Sequence, residues 1–383
     1  MENKYKNSYN LLQNDLKNKI LMLDGAMGTM IQRENLTAED FGGEKYEGCN
    51  DYLVLQRPDI IKNIHKGYLE AGSDIIETNS FGALEIVLKD YDLEDKVFEM
   101  NKRAAELVNE AIAEYRSEHP EVTRNLYVAG ALGPSNKSIS VTGGVTFEEL
   151  INNYYTAVSG LLAGGADLIL FETIQDTRNL KAAYLGLKKA MEENYTVPLM
   201  LSFTIESTGT TLAGQTADAF YYAVNHMNPF SVGLNCATGP EFMTQFLKTL
   251  NNISNTYISV YPNAGLPNED GEYEETPDTL SAKIEPFFQN HYLNIVGGCC
   301  GTTPEHIQRI KEKSINYEPR VIDKNKDFND VSGLIALETP KDRPVYVGER
   351  TNVIGSRIFK NLIANEKFDE ATEVARLQIK GRA

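Results

Sequence analysis

Short apolar runs alternate with longer amphipathic segments along the first 315 residues. Each short run is almost continuously apolar, which is typical of strands buried on both faces of a parallel sheet. The pattern predicts eight strands, at Ile20–Asp24, Asp74–Asn79, Leu126–Leu132, Asp167–Glu172, Pro198–Thr204, Ser231–Cys236, Tyr257–Tyr261 and Asn294–Gly298. It predicts eight helices, at Pro58–Ala71, Val97–Glu118, Phe147–Ala163, Asn179–Glu193, Ala217–Met227, Pro240–Ile253, Pro277–Gln289 and Pro304–Lys313.

This alternation predicts an α/β fold of the (β/α)8 TIM barrel type. Eight β/α units follow one another within residues 1–315, as such a barrel requires. A doubly wound sheet is the alternative, but eight strands would be many for it. No Gly-x-Gly-x-x-Gly turn follows the first predicted strand either.

The chain beyond the predicted barrel has a different character. Residues 316–342 lose the periodic pattern and are rich in Asp, Asn and Lys, which predicts a linker. Residues 343–383 predict a strand at Pro344–Gly348 and a helix from about Asp369. A segment this short does not bury a core of its own, which indicates the start of a second, incomplete domain.

The net charge and the hydropathy of the chain argue against some classes of partner and location. The 383 residues contain 37 Lys and Arg against 54 Asp and Glu, a net charge of −17. This acidity argues against a nucleic-acid or anionic-membrane partner, since both need a basic face. The sequence contains neither an apolar run of membrane-spanning length nor an apolar signal-peptide core, so we expect a cytoplasmic protein.

Three of the four cysteines stand at predicted strand ends. Cys236 ends the sixth strand, and Cys299 and Cys300 follow the eighth in a Gly-Gly-Cys-Cys-Gly turn. In a TIM barrel these positions meet at the catalytic face. Three converging thiolates without a fourth protein ligand predict a Zn²⁺ site with an open position. Inert buried cysteines, or a strained disulfide between the adjacent pair, are the alternatives; Cys49 lies in an early loop and is interpreted as structural.

The three predicted thiolate ligands indicate which reaction a bound Zn²⁺ would support. Zn²⁺ with three thiolates is a poor Lewis acid but suits a soft fourth ligand. A substrate thiol bound there loses its proton and stays electron-rich, so the pattern predicts alkylation of a thiol.

Polar residues at other strand ends are candidates for substrate binding. Asp24 and Glu172 form a separated carboxylate pair that would act as a general acid and base or capture a substrate ammonium group. The turn Gly25–Thr29, which includes Ala26, offers backbone N–H groups for a carboxylate. Thr78 and Ser80 would add hydroxyl donors for the substrate. The alternative is that their hydroxyls only satisfy hydrogen bonds within their own loop.

Six motifs together resemble the homocysteine S-methyltransferase family over about residues 10–315. They are Asp-Gly-Ala-Met-Gly-Thr at 24–29, Glu-Thr-Asn-Ser-Phe at 77–81, Phe-Glu-Thr at 171–173, Gly-Leu-Asn-Cys at 233–236, Pro-Asn-Ala-Gly at 262–265 and Gly-Gly-Cys-Cys-Gly at 297–301. The resemblance implies a (β/α)8 barrel with Zn²⁺ on the three cysteines. It implies L-homocysteine bound through its sulfur, with its amino group near Asp24 and Glu172 and its carboxylate on the following turn. It also implies that Asn263 supplies an oxygen to zinc when substrate is absent.

The segment Arg343–Ser356 is similar to the opening of the pterin-binding domain of cobalamin-dependent methionine synthases. This similarity implies that the methyl group comes from methylcobalamin, carried by a domain or protein other than this chain, and that methionine is the product. In that family 5-methyltetrahydrofolate is the ultimate donor, through a complete pterin domain. The alternatives are a standalone methyltransferase using S-methylmethionine or betaine, and a non-catalytic zinc–thiolate scaffold.

Overall fold

The computed structural model describes residues 4–191, 197–269, 271–323, 331–337, 339 and 346–381. The strands are β1 Leu21–Met22, β2 Ile75–Glu77, β3 Tyr127–Leu132, β4 Leu168–Ile174, β5 Leu199–Phe203, β6 Ser231–Asn235, β7 Tyr257–Tyr261, β8 Ile295–Val296, β9 Val331–Ser332 and β10 Ala336–Leu337. The α-helices are α1 Lys4–Asn18, α2 Met27–Arg33, α3 Leu53–Gln56, α4 Pro58–Ala71, α5 Glu85–Leu88, α6 Val97–Glu118, α7 Phe147–Ala163, α8 Thr177–Ala190, α9 Ala217–Val224, α10 Pro240–Ile253, α11 Pro277–Gln289, α12 Pro304–Ser314, α13 Arg357–Ala364 and α14 Phe368–Lys380.

The first eight strands form one parallel sheet that curls into a barrel. Each strand from β2 to β7 pairs with the next, and β8 also pairs with β1. The ring closes between β1 and β2 through a bridge from Leu23 to Ile75 and a hydrogen bond from the Asp74 N–H to the Met22 carbonyl. The predicted TIM-barrel fold is therefore confirmed, and the doubly wound alternative is wrong.

Inward-facing side chains fill the barrel in the alternation that parallel strands impose. Leu168 and Leu170 of β4, for example, are fully buried in the same cluster as Ile75 and Ile295. Helix α1, which the strand-and-helix pattern did not predict, adds Leu12 and Leu16 to this cluster. These two residues are four apart, so one helical face carries them, and Tyr9 of the same helix packs partly buried against the cluster.

The predicted helices are present, and those at α4, α6, α7, α10 and α11 have their predicted limits. Helix α8 begins earlier than predicted, at Thr177, because the Asp176 carboxylate accepts the N–H of Arg178 and caps it. Its predicted end at Glu193 lies outside the described residues. Helix α9 ends at Val224 and continues as a single 3₁₀ turn to Met227.

The chain divides into two compact units, Met1–Asp327 with Ser332–Ala336, and Phe328–Val331 with Leu337–Ala383. Part of the predicted linker thus belongs to the barrel unit. The Leu334 carbonyl accepts the Thr216 N–H at 2.9 Å, and the Ser332 hydroxyl donates to the Ala219 carbonyl at 2.8 Å.

The described residues of the second unit include two helices, α13 and α14. The helix predicted from about Asp369 is present as α14, whereas α13 was not predicted. Of the predicted strand Pro344–Gly348, the first two residues lie outside the described part of the chain and the remaining three form no strand. Apolar side chains here are largely exposed, including Ile354 and Ile358. Among the helices that the structure describes, none has the length and apolar character to cross a bilayer.

Candidate functional site

The three predicted cysteines converge at the carboxyl end of the barrel. The sulfurs of Cys236, Cys299 and Cys300 all lie within 4.8 Å of one another, and Cys236 Sγ is 3.9 Å from Cys300 Sγ. Sulfurs about 3.8 Å apart are what a tetrahedral zinc with Zn–S bonds of about 2.3 Å requires. All three thiols are free, so no disulfide joins the adjacent pair.

Local backbone geometry brings these sulfurs together. Cys236 and Ala237 both have positive φ, +58° and +59°, a strained conformation for residues with a side chain. The Thr238 N–H donates to the Cys236 carbonyl at 2.7 Å and tightens this turn. The loop after β7 holds the other two cysteines, because the Cys299 N–H donates to Pro262 and the Cys300 carbonyl accepts from Ala264.

Asn263 lies between Pro262 and Ala264, the two residues of the loop after β7 that make these backbone contacts. It is 4% exposed. Its Oδ1 atom is buried and has no hydrogen-bond partner among the described residues. An unsatisfied buried carbonyl oxygen is costly unless something coordinates it. Three sulfurs within 4.8 Å of one another, with a free amide oxygen on the neighbouring loop, therefore fit a Zn²⁺ ion with a replaceable fourth ligand.

The three thiols shift the pKa values of one another. Hydrogen bonds from the thiols of Cys236 and Cys299 lower the pKa of Cys300. The same interactions raise the pKa of Cys299, which holds its proton. Tyr273, which the sequence did not single out, packs from the loop after β7 against Gly301, the residue that follows Cys300.

Three carboxyl groups face one another at the same end of the barrel. Asp24 and Glu172 were predicted, and Glu77 at the end of β2 joins them. Burial, reinforced by the negative charge of Cys300, raises the pKa of Glu172 from 4.5 to about 8. Burial and the two neighbouring carboxyls raise that of Glu77. One oxygen of Asp24 and one of Glu77 lack a hydrogen-bond partner in the described chain, and a positively charged group would compensate these buried carboxyls.

Glu77 could have been found from the sequence. It follows the inward-facing Ile75 by two residues, so strand alternation turns it into the barrel. Asp24 is fixed next to it, because one of its carboxylate oxygens accepts the Glu77 N–H at 3.0 Å.

A bulge in β4 aims Glu172. The register of β4 against β5 shifts between Phe171 and Ile174, and Thr173 has a φ of +53°, which is rare for a β-branched residue. Asn235, fully buried at the end of β6, stabilises this bend. Its Oδ1 accepts the Thr173 N–H at 3.0 Å, and its Nδ2 donates to the Thr173 hydroxyl at 2.8 Å.

The segment after Asp24 packs against the cysteine turn. A side chain on Gly25 would come within 3.0 Å of Thr302 and Tyr68, so only glycine fits. The Ala26 N–H donates to the Thr302 hydroxyl at 3.2 Å. Binding of a substrate carboxylate by that N–H therefore requires its hydrogen bond to Thr302 to break. The residues predicted as a turn over 25–29 include the first residues of α2, which begins at Met27.

Thr78 and Ser80 are buried, and both hydroxyls already have partners. The Thr78 hydroxyl accepts the Ala131 N–H at 3.0 Å, and Ser80 donates to the Ala131 carbonyl at 2.8 Å. These bonds join the loop after β2 to β3. Their predicted contact with substrate remains a prediction, and this geometry supports the alternative in which they satisfy their own loop.

The pH dependence of stability is expected to report the carboxyl cluster. A carboxyl whose pKa is raised by folding stabilises the fold below its unfolded pKa, and this contribution is lost as pH rises through the folded value. For Glu172 the window runs from 4.5 to about 8. We expect the free energy of unfolding of the metal-free protein to fall by a few kcal/mol across it, at about 1.4 kcal/mol per pKa unit. Glu172→Gln should flatten this slope in urea titrations.

The exposed residue Glu148 provides the control. Glu148→Gln removes the same charge from the surface and should leave the wild-type slope intact. A wild-type slope retained in Glu172→Gln would contradict the assignment.

Comparison with known proteins agrees with this geometry. Residues 21–314 match the family model described as "Homocysteine S-methyltransferase". The oxidized form of the homocysteine methyltransferase MmuM from Escherichia coli is 24% identical, with a TM-score of 0.66, over 80% of this chain and 99% of that one. Its metallated form is 24% identical, with a TM-score of 0.65, over 79% and 100%. The apo form is 23% identical, with a TM-score of 0.59, over 78% and 97%.

The solved structures agree with the barrel fold, and the family match extends over most of the chain, from β1 to the end of α12. It includes the residues of the cysteine cluster and of the carboxyl cluster. On this match, the chain belongs to the homocysteine S-methyltransferase family.

Proposed function

We propose that this chain transfers a methyl group to the sulfur of L-homocysteine, with Zn²⁺ held by Cys236, Cys299 and Cys300. The observation that carries the proposal is the group of three sulfurs within 4.8 Å of one another, with the unpartnered oxygen of Asn263 on the neighbouring loop. Zinc bound by three thiolates would deprotonate a substrate thiol and leave its sulfur nucleophilic. Asn263 would supply the oxygen that the substrate sulfur replaces.

The carboxyl cluster would bind the amino group of the substrate. Asp24 and Glu172 are buried and each is turned into the barrel mouth. An ammonium group placed between them would supply the missing positive charge and lower their pKa values toward the ordinary range. Holding the amino acid at its nitrogen and its sulfur orients the nucleophile, which converts an encounter between two molecules into an aligned displacement.

In the displacement itself, the homocysteine sulfur forms a bond to the methyl carbon while the bond between that carbon and the donor breaks. The electron pair of the broken bond leaves with the donor. Asp24 and Glu172 hold the amino acid during this step and neither gives nor takes a proton at the reacting sulfur.

We propose methylcobalamin, held by a domain or protein outside this chain, as the methyl donor. The similarity of Arg343–Ser356 to a pterin-domain opening supports this donor. The exposed apolar side chains of the second unit support the interpretation of residues 343–383 as the start of a further domain, with 1–315 as the barrel domain and 316–342 as the linker. Through a complete pterin domain, 5-methyltetrahydrofolate would then regenerate the donor.

Zinc X-ray absorption and a donor panel test the proposal together. We expect one zinc per chain with three sulfurs and one oxygen, changing to four sulfurs when L-homocysteine is added. We expect methionine from L-homocysteine and methylcobalamin, and loss of this turnover after chelation of the metal. Turnover with S-methylmethionine or betaine alone would identify a standalone enzyme instead. A first coordination shell that does not respond to L-homocysteine would reduce the site to a zinc–thiolate scaffold.

A further inference from the structure

A cavity of about 230 Å³ lies at the opposite end of the barrel from the cysteines. It is formed where the chain enters the first three strands, next to the last turn of α12. Its lining includes Lys19 before β1, Asp74 before β2, Arg124 before β3 and Lys311 on α12. The catalytic loops of a TIM barrel stand at the other face, so this cavity is separate from the site described above.

Three cations and one carboxylate line this cavity. The Lys19 ammonium lies 2.7 Å from Asp74 Oδ1, and Arg124 Nε lies 3.6 Å from the same oxygen. The other Asp74 oxygen accepts the Met22 N–H at 3.0 Å. A single carboxylate compensates only one of the three cations. Two positive charges are therefore uncompensated among the lining residues, in a chain whose net charge is −17.

The backbone makes room for Lys311 beside this cavity. Gly72, which follows α4, has a φ of +99°, and a side chain there would overlap Lys311 Nζ. Nζ donates to the Gly72 carbonyl at 3.1 Å, which holds the ammonium over the bare backbone. Burial and the charge of Arg124 lower the pKa of Lys311, although Asp74 acts in the opposite direction.

The two ammonium groups keep donors for a ligand. An ammonium has three N–H groups, and among the described residues Lys19 and Lys311 each have one hydrogen-bond acceptor. Arg124 is held more firmly, because its Nη2 donates to two backbone carbonyls. Its Nε is buried and has no hydrogen-bond partner in the described chain. Arg124 thus contributes a fixed charge, whereas the lysines contribute free donors.

We propose that this cavity binds a phosphate group, with Lys19 and Lys311 donating hydrogen bonds to its oxygens and Arg124 adding to the positive field. A phosphate monoester carries about −1.5 to −2 charges at neutral pH, which matches the two uncompensated cations, whereas a carboxylate carries only one. Charge-assisted hydrogen bonds from an ammonium to phosphate oxygens are among the stronger hydrogen bonds in proteins.

The size of the cavity limits the ligand. Its volume is below the roughly 300–1,000 Å³ of pockets that enclose drug-sized molecules. It therefore accommodates inorganic phosphate, or the phosphate group of a small monoester whose remainder stays in solvent. A phosphate bound here would connect the segment before β1 to α12 and stabilise the folded barrel by mass action.

Isothermal titration calorimetry of the metal-free full chain with inorganic phosphate tests the site. Removing the metal prevents phosphate from binding zinc at the other end of the barrel. The titration is run at pH 8, where phosphate is mainly a dianion, at an ionic strength fixed with sodium chloride. We expect saturable binding of one phosphate per chain with a Kd of about 1 mM or tighter. Acetate, a monoanion, should bind much more weakly.

Glycerol 3-phosphate distinguishes the two sources of the phosphate group. An affinity equal to that of inorganic phosphate would identify the site as one for the phosphate group of a monoester. A much lower affinity would identify the free phosphate ion as the ligand.

Two substitutions should change the affinity in opposite directions. Lys311→Met keeps the apolar stem and removes the ammonium, which should raise the Kd about tenfold or more, as expected for a hydrogen bond to a charged group. Asp74→Asn removes the carboxylate that competes with the ligand and should lower the Kd. Lys313→Met is the matched control, because Lys313 is also half-buried on α12 but pairs with Glu285 and does not line the cavity.

The absence of saturable phosphate binding would overturn the proposal. Equal losses of affinity in Lys311→Met and Lys313→Met would do the same, since they would show only the effect of net charge. Acetate binding as tight as that of phosphate would also contradict it. Circular dichroism checks that each variant is folded. If Lys311→Met does not fold, Asp74→Asn still decides, because unchanged or weaker binding in that variant would contradict the site.

Discussion

Cys299→Ser is expected to leave the protein folded but without zinc and without methyl transfer. A serine hydroxyl keeps its proton at neutral pH, so it cannot replace a thiolate ligand. Only two sulfurs would remain, and the substrate thiol would no longer be ionised at the site. If the metal contributes about 4 kcal/mol to the transition state, the turnover number falls roughly a thousandfold. Metal analysis and a methionine assay measure both effects.

Cys49→Ser is the matched control for this substitution. Cys49 is also buried, but burial raises the pKa of its thiol to about 12, so it stays protonated. It does not belong to the group of three sulfurs within the described residues. We expect one zinc per chain and near wild-type turnover. If Cys299→Ser retained both zinc and turnover, the proposed site would be wrong.

Glu172→Gln is expected to raise the KM for L-homocysteine by roughly ten- to a hundredfold. The substitution keeps the shape of the side chain and removes the charge that would pair with the substrate ammonium. Hydrogen bonds to charged groups contribute about 1.5–3 kcal/mol, which corresponds to that range of affinity. The turnover number at saturating substrate should change much less, because Glu172 is assigned to binding and not to the reacting sulfur. Steady-state kinetics separate the two quantities.

A substrate analogue without the amino group provides a second test of this role. A thiol that resembles homocysteine but lacks the amino group should be a poor substrate for the wild type, and Glu172→Gln should make it little worse. The surface variant Glu148→Gln should leave both parameters unchanged. A large fall in turnover number with an unchanged KM would instead assign Glu172 to acid–base chemistry, the alternative that the sequence left open.

The strand pattern alone determined the barrel and therefore which residues share its carboxyl end. Parallel strands buried on both faces read as continuous apolar runs, and their ends meet at one face whatever the helices between them do. That rule placed Cys236 and the adjacent cysteines Cys299 and Cys300 together although more than 60 residues separate them in the chain. It also brought Asp24 and Glu172 to the same mouth.

The strand pattern did not predict the contacts between distant parts of the chain. Helix α1 carries few apolar residues, and its burial depends on the open end of the barrel that it covers. The partners that occupy Thr78, Ser80 and the Ala26 N–H come from other elements, so local pattern could not reveal them.

Tyr273 shows the difference most clearly. The sequence around it indicates only an acidic loop and contains no local signal for a contact with the turn that carries Cys300. That contact exists because the loop after β7 and the turn after β8 leave neighbouring strands and pack together. The sequence by itself determined which chemical groups stand at the barrel mouth, because strand periodicity is local. Only the tertiary structure decided which groups are already satisfied and which stay free for a metal and a substrate, because hydrogen-bond partners come from anywhere in the chain.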